Sequence, residues 1–469
     1  MTLLDRISRR QFLGGAAAIA AGAVFDACAP TTNAPTASAS KSAELTPTGD
    51  PGVVFRRGTI LTMDPEQPDA AAVAVQGDSI VAVGPEADVL AAASPGAMVV
   101  DLGGRVLLPG FNDAHCHRID AALGSGTADA AIQVALAGGW TSISEMLVMA
   151  KGLDELRALD DEAQLRLRVN AYLAPYPPGV PDEDRFGIWF TDYEPRQTVS
   201  PRLRIGGVKL FADSYAPVAP LHMLLTEAHA DRPGYLGDAF WAPDEFRDVV
   251  RTLHDDGWQV ATHSLGDAAH DFVLDAYEAA LAGADNDLHR HRIEHAFVIR
   301  DDQVARMRDL AVIASIQLPL MSADWAVDWE AALGPERLAW AARWRDLLEA
   351  GVPVVGGTDY PAVMGPETAG RSSAMRALWD GVTRTGVEVV AAPDWMTDQA
   401  LTVEQGLDLL TRSGAYATFE EDRKGTITVG KVADLVLVSR DPRAVPIADL
   451  PAVKVVMTMI GGRVEYGSL

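Results

Sequence analysis

The sequence predicts an α/β protein: a (β/α)8 TIM barrel with a small β-sandwich domain built from both chain ends. Three observations predict it. Between residues 108 and 420, strand-like and helix-like segments alternate eight times; strand, helix, strand at this spacing enforces parallel pairing, and eight such units close a barrel. Residues 52–107 and 421–469 instead carry short β-branched runs broken by turn residues, as in VVFRRGTILTM, AAVAVQGDSIVAVG and GTITVGKVADLVLVSR, the pattern of a separate β domain. Several of the apolar barrel strands also end in residue types that bind metals, on the face where such barrels carry their sites.

In chain order, the first 30 residues read as an address. Ser8-Arg9-Arg10-Gln11-Phe12-Leu13 is similar to a twin-arginine export signal, and the Ala/Gly-rich apolar stretch that follows ends at Val24. That stretch is too brief to span a bilayer as a stable helix. Cys28 closes it in VFDAC, similar to a lipoprotein processing site although Asp26 is atypical there, so Cys28 is a candidate for lipidation. Residues 31–51, rich in Ala, Thr, Ser and Pro, read as a flexible linker. The expectation is export by the twin-arginine (Tat) pathway to the periplasm or cell surface, with a lipid anchor as the candidate tether.

The barrel strands are expected near 107–115, 141–147, 166–173, 205–212, 258–263, 291–296, 311–317 and 352–358. Helical spacing appears between them, as in 243–257, 269–283 and 335–351, each with an acidic start and a Gly stop. With 48% hydrophobic and 22% charged residues a sizeable core is available. The formal charge of −26, with no Lys/Arg-rich run, excludes nucleic acid as a partner. Of the two cysteines, Cys28 lies in the leader and Cys116 between two candidate ligands, so no structural disulfide is expected; Cys116 reads as a packing residue.

The candidate ligands follow from these strand ends. His115 and His117 are two apart on one strand, so both imidazoles point the same way. Lys209 is one of only six lysines beside 33 arginines, yet it stands inside an apolar strand. Desolvation there favours the neutral amine, which can add carbon dioxide to give a carbamate bridging two cations; the alternative is a lysine paired with Asp213 or snorkelling. His263 and His295 close successive strands and would hold a second ion. Asp359 follows Gly356-Gly357-Thr358 and can bind one metal, accept the proton of the attacking water and return it to a leaving nitrogen; the bland alternative is a structural turn aspartate. His222, His229, His254, His270, His289 and His291 read as non-ligands on helices or loops.

LLPGFNDAHCH, GVKLFAD, THSLGDAAHDFVLDAYE, HRIEHAFVI, LLEAGVPVVGGTDYP and KGTITVGKVADLVLVSRDP, in that order, resemble the metal-dependent amidohydrolase superfamily. The likeness is to the amidohydrolase family 3 type, in the branch that includes N-substituted formamide deformylases, and it covers nearly everything from residue 52 onward. It implies His115, His117 and Asp359 on one zinc-type ion, His263 and His295 on the other, and carboxylated Lys209 between them. Two departures bear on the substrate pocket. The branch usually carries a long insertion after the first metal motif, whereas about two dozen residues separate His117 from Thr141 here, and it usually has Gly where this chain has Ser214 after Asp213. Pocket walls would then come from other loops, whose aromatics Tyr176, Trp189, Trp325, Trp329 and Tyr360 suggest an apolar or aromatic substrate group; a lid packed on itself is the alternative.

The expected function is an exported metal-dependent hydrolase of non-peptide C–N bonds in amides, cyclic amides or N-acyl amines. An ester, lactone or phosphotriester hydrolase on the same site is the second reading, and a non-catalytic ligand-binding surface lipoprotein the third. The expected partners are a small-molecule substrate, the Tat translocase, the membrane through the anchor, and a second copy of the chain in a homo-oligomer.

Overall fold

In the computed structural model, which describes residues 52–175, 188–213, 222–283, 286–320, 322–361, 372–386 and 391–469, the leading β-branched runs form β1 (Val53–Leu61), β2 (Asp69–Gln76), β3 (Ser79–Gly84), β4 (Met98–Asp101) and β5 (Val106–Pro109). The leader, the linker, Cys28 and Tyr176 lie outside the described residues. The apolar runs of the middle segment form β6 (Phe111–Cys116), β7 (Trp140–Val148), β8 (Arg168–Leu173), β9 (Leu203–Phe211), β10 (Val260–Ser264), β11 (Arg292–His295), β12 (Ile313–Gln317) and β13 (Val354–Gly357). The last runs give β14 (Leu435–Val438), β15 (Val455–Ile460) and β16 (Arg463–Gly467).

Strands β6 to β13 pair in parallel, each with its neighbour in sequence, as a TIM barrel requires. Their residues are almost all buried, because helices cover the outside while side chains fill the inside. The first and last strands meet at the site end, where the backbone N–H groups of Thr358 and Asp359 donate to the His115 carbonyl at 3.1 and 2.7 Å. Gly357 permits this approach: a Cβ there would lie 2.7 Å from the His115 nitrogen.

The other strands form a second sheet in the order β16-β15-β14-β5-β1-β2-β3, with β4 beside β1. Both chain ends therefore contribute, joined where β14 runs antiparallel to β5. Phe55, Val73, Leu107, Leu435 and Met457 share one apolar cluster of this domain. It is tied to the barrel by Arg168 on β8, whose Nε and Nη2 donate to the Asp434 carboxylate at 2.6 and 2.9 Å.

Two boundaries differ from expectation. The apolar run at 107–115 serves two sheets: β5 belongs to the satellite domain and β6 to the barrel. The break falls at Gly110, where a Cβ would overlap the Thr141 side chain and where Pro109 offers no N–H. The helix expected over 335–351 is also split, into the end of Ala326–Leu338 and the separate Trp344–Glu349. Between them Ala342 takes φ 48° and donates its N–H to the Phe297 carbonyl at 2.7 Å, so a tertiary hydrogen bond replaces a helical one. The helices Pro243–Asp255 and Asp267–Leu281 match their periodicity, with Phe246, Val250 and Leu253 forming the buried stripe of the first. Among the described residues no helix is long and apolar enough to cross a membrane.

Candidate metal centre

The C-terminal ends of the barrel strands bring the candidate ligands together. His115 and His117 each place Nε2 3.3 Å from Asp359 Oδ1, and the three potential ligand atoms all lie within 4.8 Å of one another. The His295 ring lies 5.1 Å from that of His115 and 4.5 Å from that of His263, centroid to centroid. Lys209 stands in register with Ala261 on the neighbouring strand, and Phe211 with His263. All six residues are buried. His295 and Asp359 both have left-handed backbone, φ 76° and 55°, the kind of sparsely populated conformation that clusters at functional sites.

The pairing of Lys209 with Asp213 is replaced by another arrangement. Asp213 accepts the backbone N–H groups of Leu224, Leu265 and Gly266 at 3.0, 3.0 and 2.9 Å, and its Oδ1 lies 3.6 Å from His263 Nε2. Among the described residues no carboxylate is within ion-pair distance of Lys209 Nζ, which lies 5.2 Å from the Phe211 ring. Burial lowers the Lys209 pKa to about 8, against the opposing pull of Glu294 and Asp359. Burial likewise lowers His117 and His263, and brings His295 to about 3. Burial alone would push the Asp359 carboxyl up, but His115, His117 and His295 outweigh it and hold it well below the usual range. Neutral imidazoles beside an ionised carboxylate are the protonation states that ligate cations.

Behind these residues stands a layer that the motif reading passed over. Glu294 Oε2 accepts the Nδ1 proton of His115 at 2.6 Å, which leaves the Nε2 lone pair facing His117 and Asp359. Arg292 holds Glu294 through Nε and Nη2 at 2.6 and 2.9 Å and also donates to the Ala114 carbonyl and Ser315 Oγ, both at 2.9 Å. Asp113 accepts from Arg118 Nη2, Thr358 N and Thr358 Oγ1 at 2.9, 2.9 and 2.6 Å, bracing the turn that presents Asp359. The available signal was the alternation of Arg292 and Glu294 inside the otherwise apolar HRIEHAF, where two buried charges on one face must serve each other.

The donor set suits divalent cations. His295 Nδ1 is buried with no hydrogen-bond partner among the described residues, which a metal or ligand contact would explain. Histidine nitrogens with a carboxylate are the ligands of zinc-type ions. A second histidine group lies at the opposite end of the barrel, where His254, His289 and His291 gather. There His291 Nδ1 accepts the Val260 N–H at 3.1 Å, so Nε2 carries the proton and donates to His254 Nδ1 at 3.0 Å.

The proposed pocket aromatics are dispersed. The Tyr360 ring is fully buried and lies 5.1 Å from the Arg118 guanidinium, which also faces Trp140 at 5.3 Å. Trp329 is buried against Phe297, and Trp325 is half-buried against the main core. Trp189 lies in the short turn Ile188–Asp192, and Tyr176 is outside the described residues. Cys116 is buried, and burial together with Glu145 and Asp113 raises its thiol pKa well above normal.

A model of the amidohydrolase family matches residues 125–466. The chain is 30% identical to the N-substituted formamide deformylase of Arthrobacter pascens over 268 residues, 56% of this chain and 46% of that protein. It is 27% identical to the imidazolonepropionase of Anaeromyxobacter sp. (strain K) over 423 residues, 82% of this chain and 89% of that one. The chain spans about half the length of the first curated relatives it matches, the deformylase among them. In fold it is similar to the crystal structure of a metal-dependent hydrolase from Pyrococcus horikoshii OT3, with a TM-score of 0.69 at 21% identity, covering 85% of this chain and 99% of that one. With the barrel and a family match across most of its length, the chain belongs to the amidohydrolase family.

Proposed function

We propose that this protein is an exported metal-dependent hydrolase of non-peptide C–N bonds in amides, cyclic amides or N-acyl amines. The observation that carries the reading is the convergence of His115, His117 and Asp359, with Lys209, His263 and His295 on adjoining strands, at the C-terminal end of the barrel. The deformylase and imidazolonepropionase likenesses favour C–N bonds over esters.

His115, His117 and Asp359 would hold one divalent ion and His263 and His295 a second, zinc being the expected metal, with carboxylated Lys209 between them. Such ions supply Lewis acidity and a nucleophilic water at neutral pH. Lys209 suits the bridging role because desolvation favours its neutral amine, which adds carbon dioxide with loss of a proton. Asp359, held ionised, accepts a proton from the attacking water and returns it to the departing nitrogen. Glu294 keeps the His115 imidazole oriented while the proton moves. Residues 1–30 would direct the chain to the Tat translocase, and Cys28 would carry the lipid that retains it at the membrane; a route for folded proteins suits a chain that acquires metals while folding.

The test is a panel of amides, lactams, esters and phosphotriesters assayed with metal analysis alongside. C–N hydrolysis with about two ions per chain is expected, abolished in His115→Ala and His263→Ala proteins whose circular dichroism is unchanged. Active protein with no stoichiometric metal, or activity confined to esters, would overturn the proposal.

A further inference from the structure

Gln317 ends β12 inside the barrel, fully buried. Its Nε2 donates to the Ser315 carbonyl at 3.0 Å and to Ser315 Oγ at 3.2 Å. A carbonyl only accepts, so the amide orientation is set: nitrogen toward Ser315, oxygen away from it. The oxygen, Oε1, is buried with no hydrogen-bond donor among the described residues. A buried acceptor left unmet carries the desolvation penalty of its group uncompensated, and such an orphan calls for a ligand.

The register places Gln317 at the level of the candidate metal site. His263 pairs with Glu294, and Glu294 with Ser315. In an eight-stranded barrel of shear eight, each step to the next strand climbs about one residue relative to the pairing register, and alternate strands supply one layer. Two steps from His263 therefore reach Gln317, two residues beyond Ser315. The same rule carries Tyr172, paired with Gly207, to Ala261, and these two do pack together. Gln317 also pairs with Gly357, two residues before Asp359. Its support is the support of the site, since Ser315 Oγ, Arg292, Glu294 and His115 form one continuous hydrogen-bonded chain.

We infer that Gln317 is a specificity-determining residue: its Oε1 accepts the N–H of the amide being cleaved, selecting substrates with an N–H over tertiary amides and esters. The inference deepens the proposed C–N hydrolysis and rests on it. A carboxamide suits the task because it is neutral at every pH and its oxygen is already aimed. Chemically, an ester or an N-methyl amide offers Oε1 no proton and leaves the orphan in place, and sites built around a substrate N–H discriminate strongly for that reason.

The test compares wild type with Gln317→Met, which keeps the length and removes the acceptor. Substrates are a secondary amide, its N-methyl derivative and the matching ester with one acyl group. Calorimetric binding of a hydroxamate and its N-methyl derivative to the metal-loaded protein gives a readout independent of turnover. In wild type the N–H member of each pair is expected to lead by about 5- to 150-fold, the ratio that a 1–3 kcal/mol hydrogen-bond difference gives. In Gln317→Met the N–H members fall by about that factor while the N-methyl ligands and the ester hold, and the melting temperature does not drop. Equal losses on all ligands, an unchanged ratio, or no wild-type preference would overturn the inference. Absence of C–N hydrolysis on every substrate would sink the proposed function instead, and the hydroxamate pair would still judge Gln317. If Gln317→Met does not fold, Gln317→Leu carries the same comparison, and a wild type without N–H preference overturns the inference by itself.

Discussion

Glu294 Oε2 and His115 Nδ1 lie 2.6 Å apart, both fully enclosed by the barrel, and Glu294 is held on its other side by Arg292. Burial would raise the Glu294 carboxyl, but Arg292 and His115 outweigh it and hold it well below its ordinary range. The carboxylate thus remains an acceptor, the imidazole keeps its proton on Nδ1, and Nε2 remains free to ligate.

Glu294→Gln is therefore expected to weaken metal binding by about 10- to 100-fold, the usual effect of losing a partner that orients a ligand. Chelator competition measures it. Glu294→Ala should in addition lose roughly 3–5 kcal/mol of stability, because the Arg292 guanidinium is left buried and unpaired. Unchanged metal affinity in the Gln variant would remove Glu294 from the site.

Lys209→Ala should lose the second metal and activity together, by at least about 10- to 100-fold. Two cations held close need an anion between them, or their repulsion expels one. Acetate supplies the same pair of oxygens and should restore part of both. Protein that keeps two ions and near-normal turnover without Lys209, or a crystal of metal-loaded wild type with a bare amine, would count decisively against the bridge.

Acid should weaken the junction between the barrel and its C-terminal strands through Glu420. Burial alone would push this carboxyl up, but Lys424 Nζ at 2.7 Å, with Arg204 and Asn170, holds it at about 2 against an ordinary value of 4.5. The folded pKa is depressed, so the stabilisation is fully present above pH about 4.5 and is lost as pH falls toward 2. Its size is of order 3 kcal/mol at most, since burial also lowers the Lys424 ammonium. Melting curves between pH 6 and 3 should slope less in Glu420→Gln than in wild type; identical slopes would assign the acid sensitivity elsewhere.

Replacing Arg9 and Arg10 together by lysine should strand the precursor in the cytoplasm, as cell fractionation would detect. Cys28→Ala should release the exported protein from membranes. Normal export of the double variant contradicts the twin-arginine reading, and unchanged fractionation of the cysteine variant contradicts the anchor.

The sequence alone determined the barrel, because parallel strands buried on both faces are written as apolar-rich runs such as Leu203–Phe211, in which the few polar side chains stand out. It also carried the candidate ligands, since His115, His117, Lys209, His263, His295 and Asp359 each interrupt or end such a run, where a polar residue demands a reason. What it could not carry was how residues far apart in the chain face each other. Glu294 meets His115 across 179 positions and Arg118 meets Thr358 across 240, and no local periodicity encodes either pairing. The division of 107–115 between two sheets was hidden for the same reason: the contact of Gly110 with Thr141 exists only once β6 and β7 are side by side. Gln317 reads as an ordinary polar strand end until the barrel's stagger lifts it to the level of His263 and leaves its oxygen without a donor. Local pattern specifies which face is buried, whereas partnership across the barrel depends on strand order and shear, which arise only when the sheet closes.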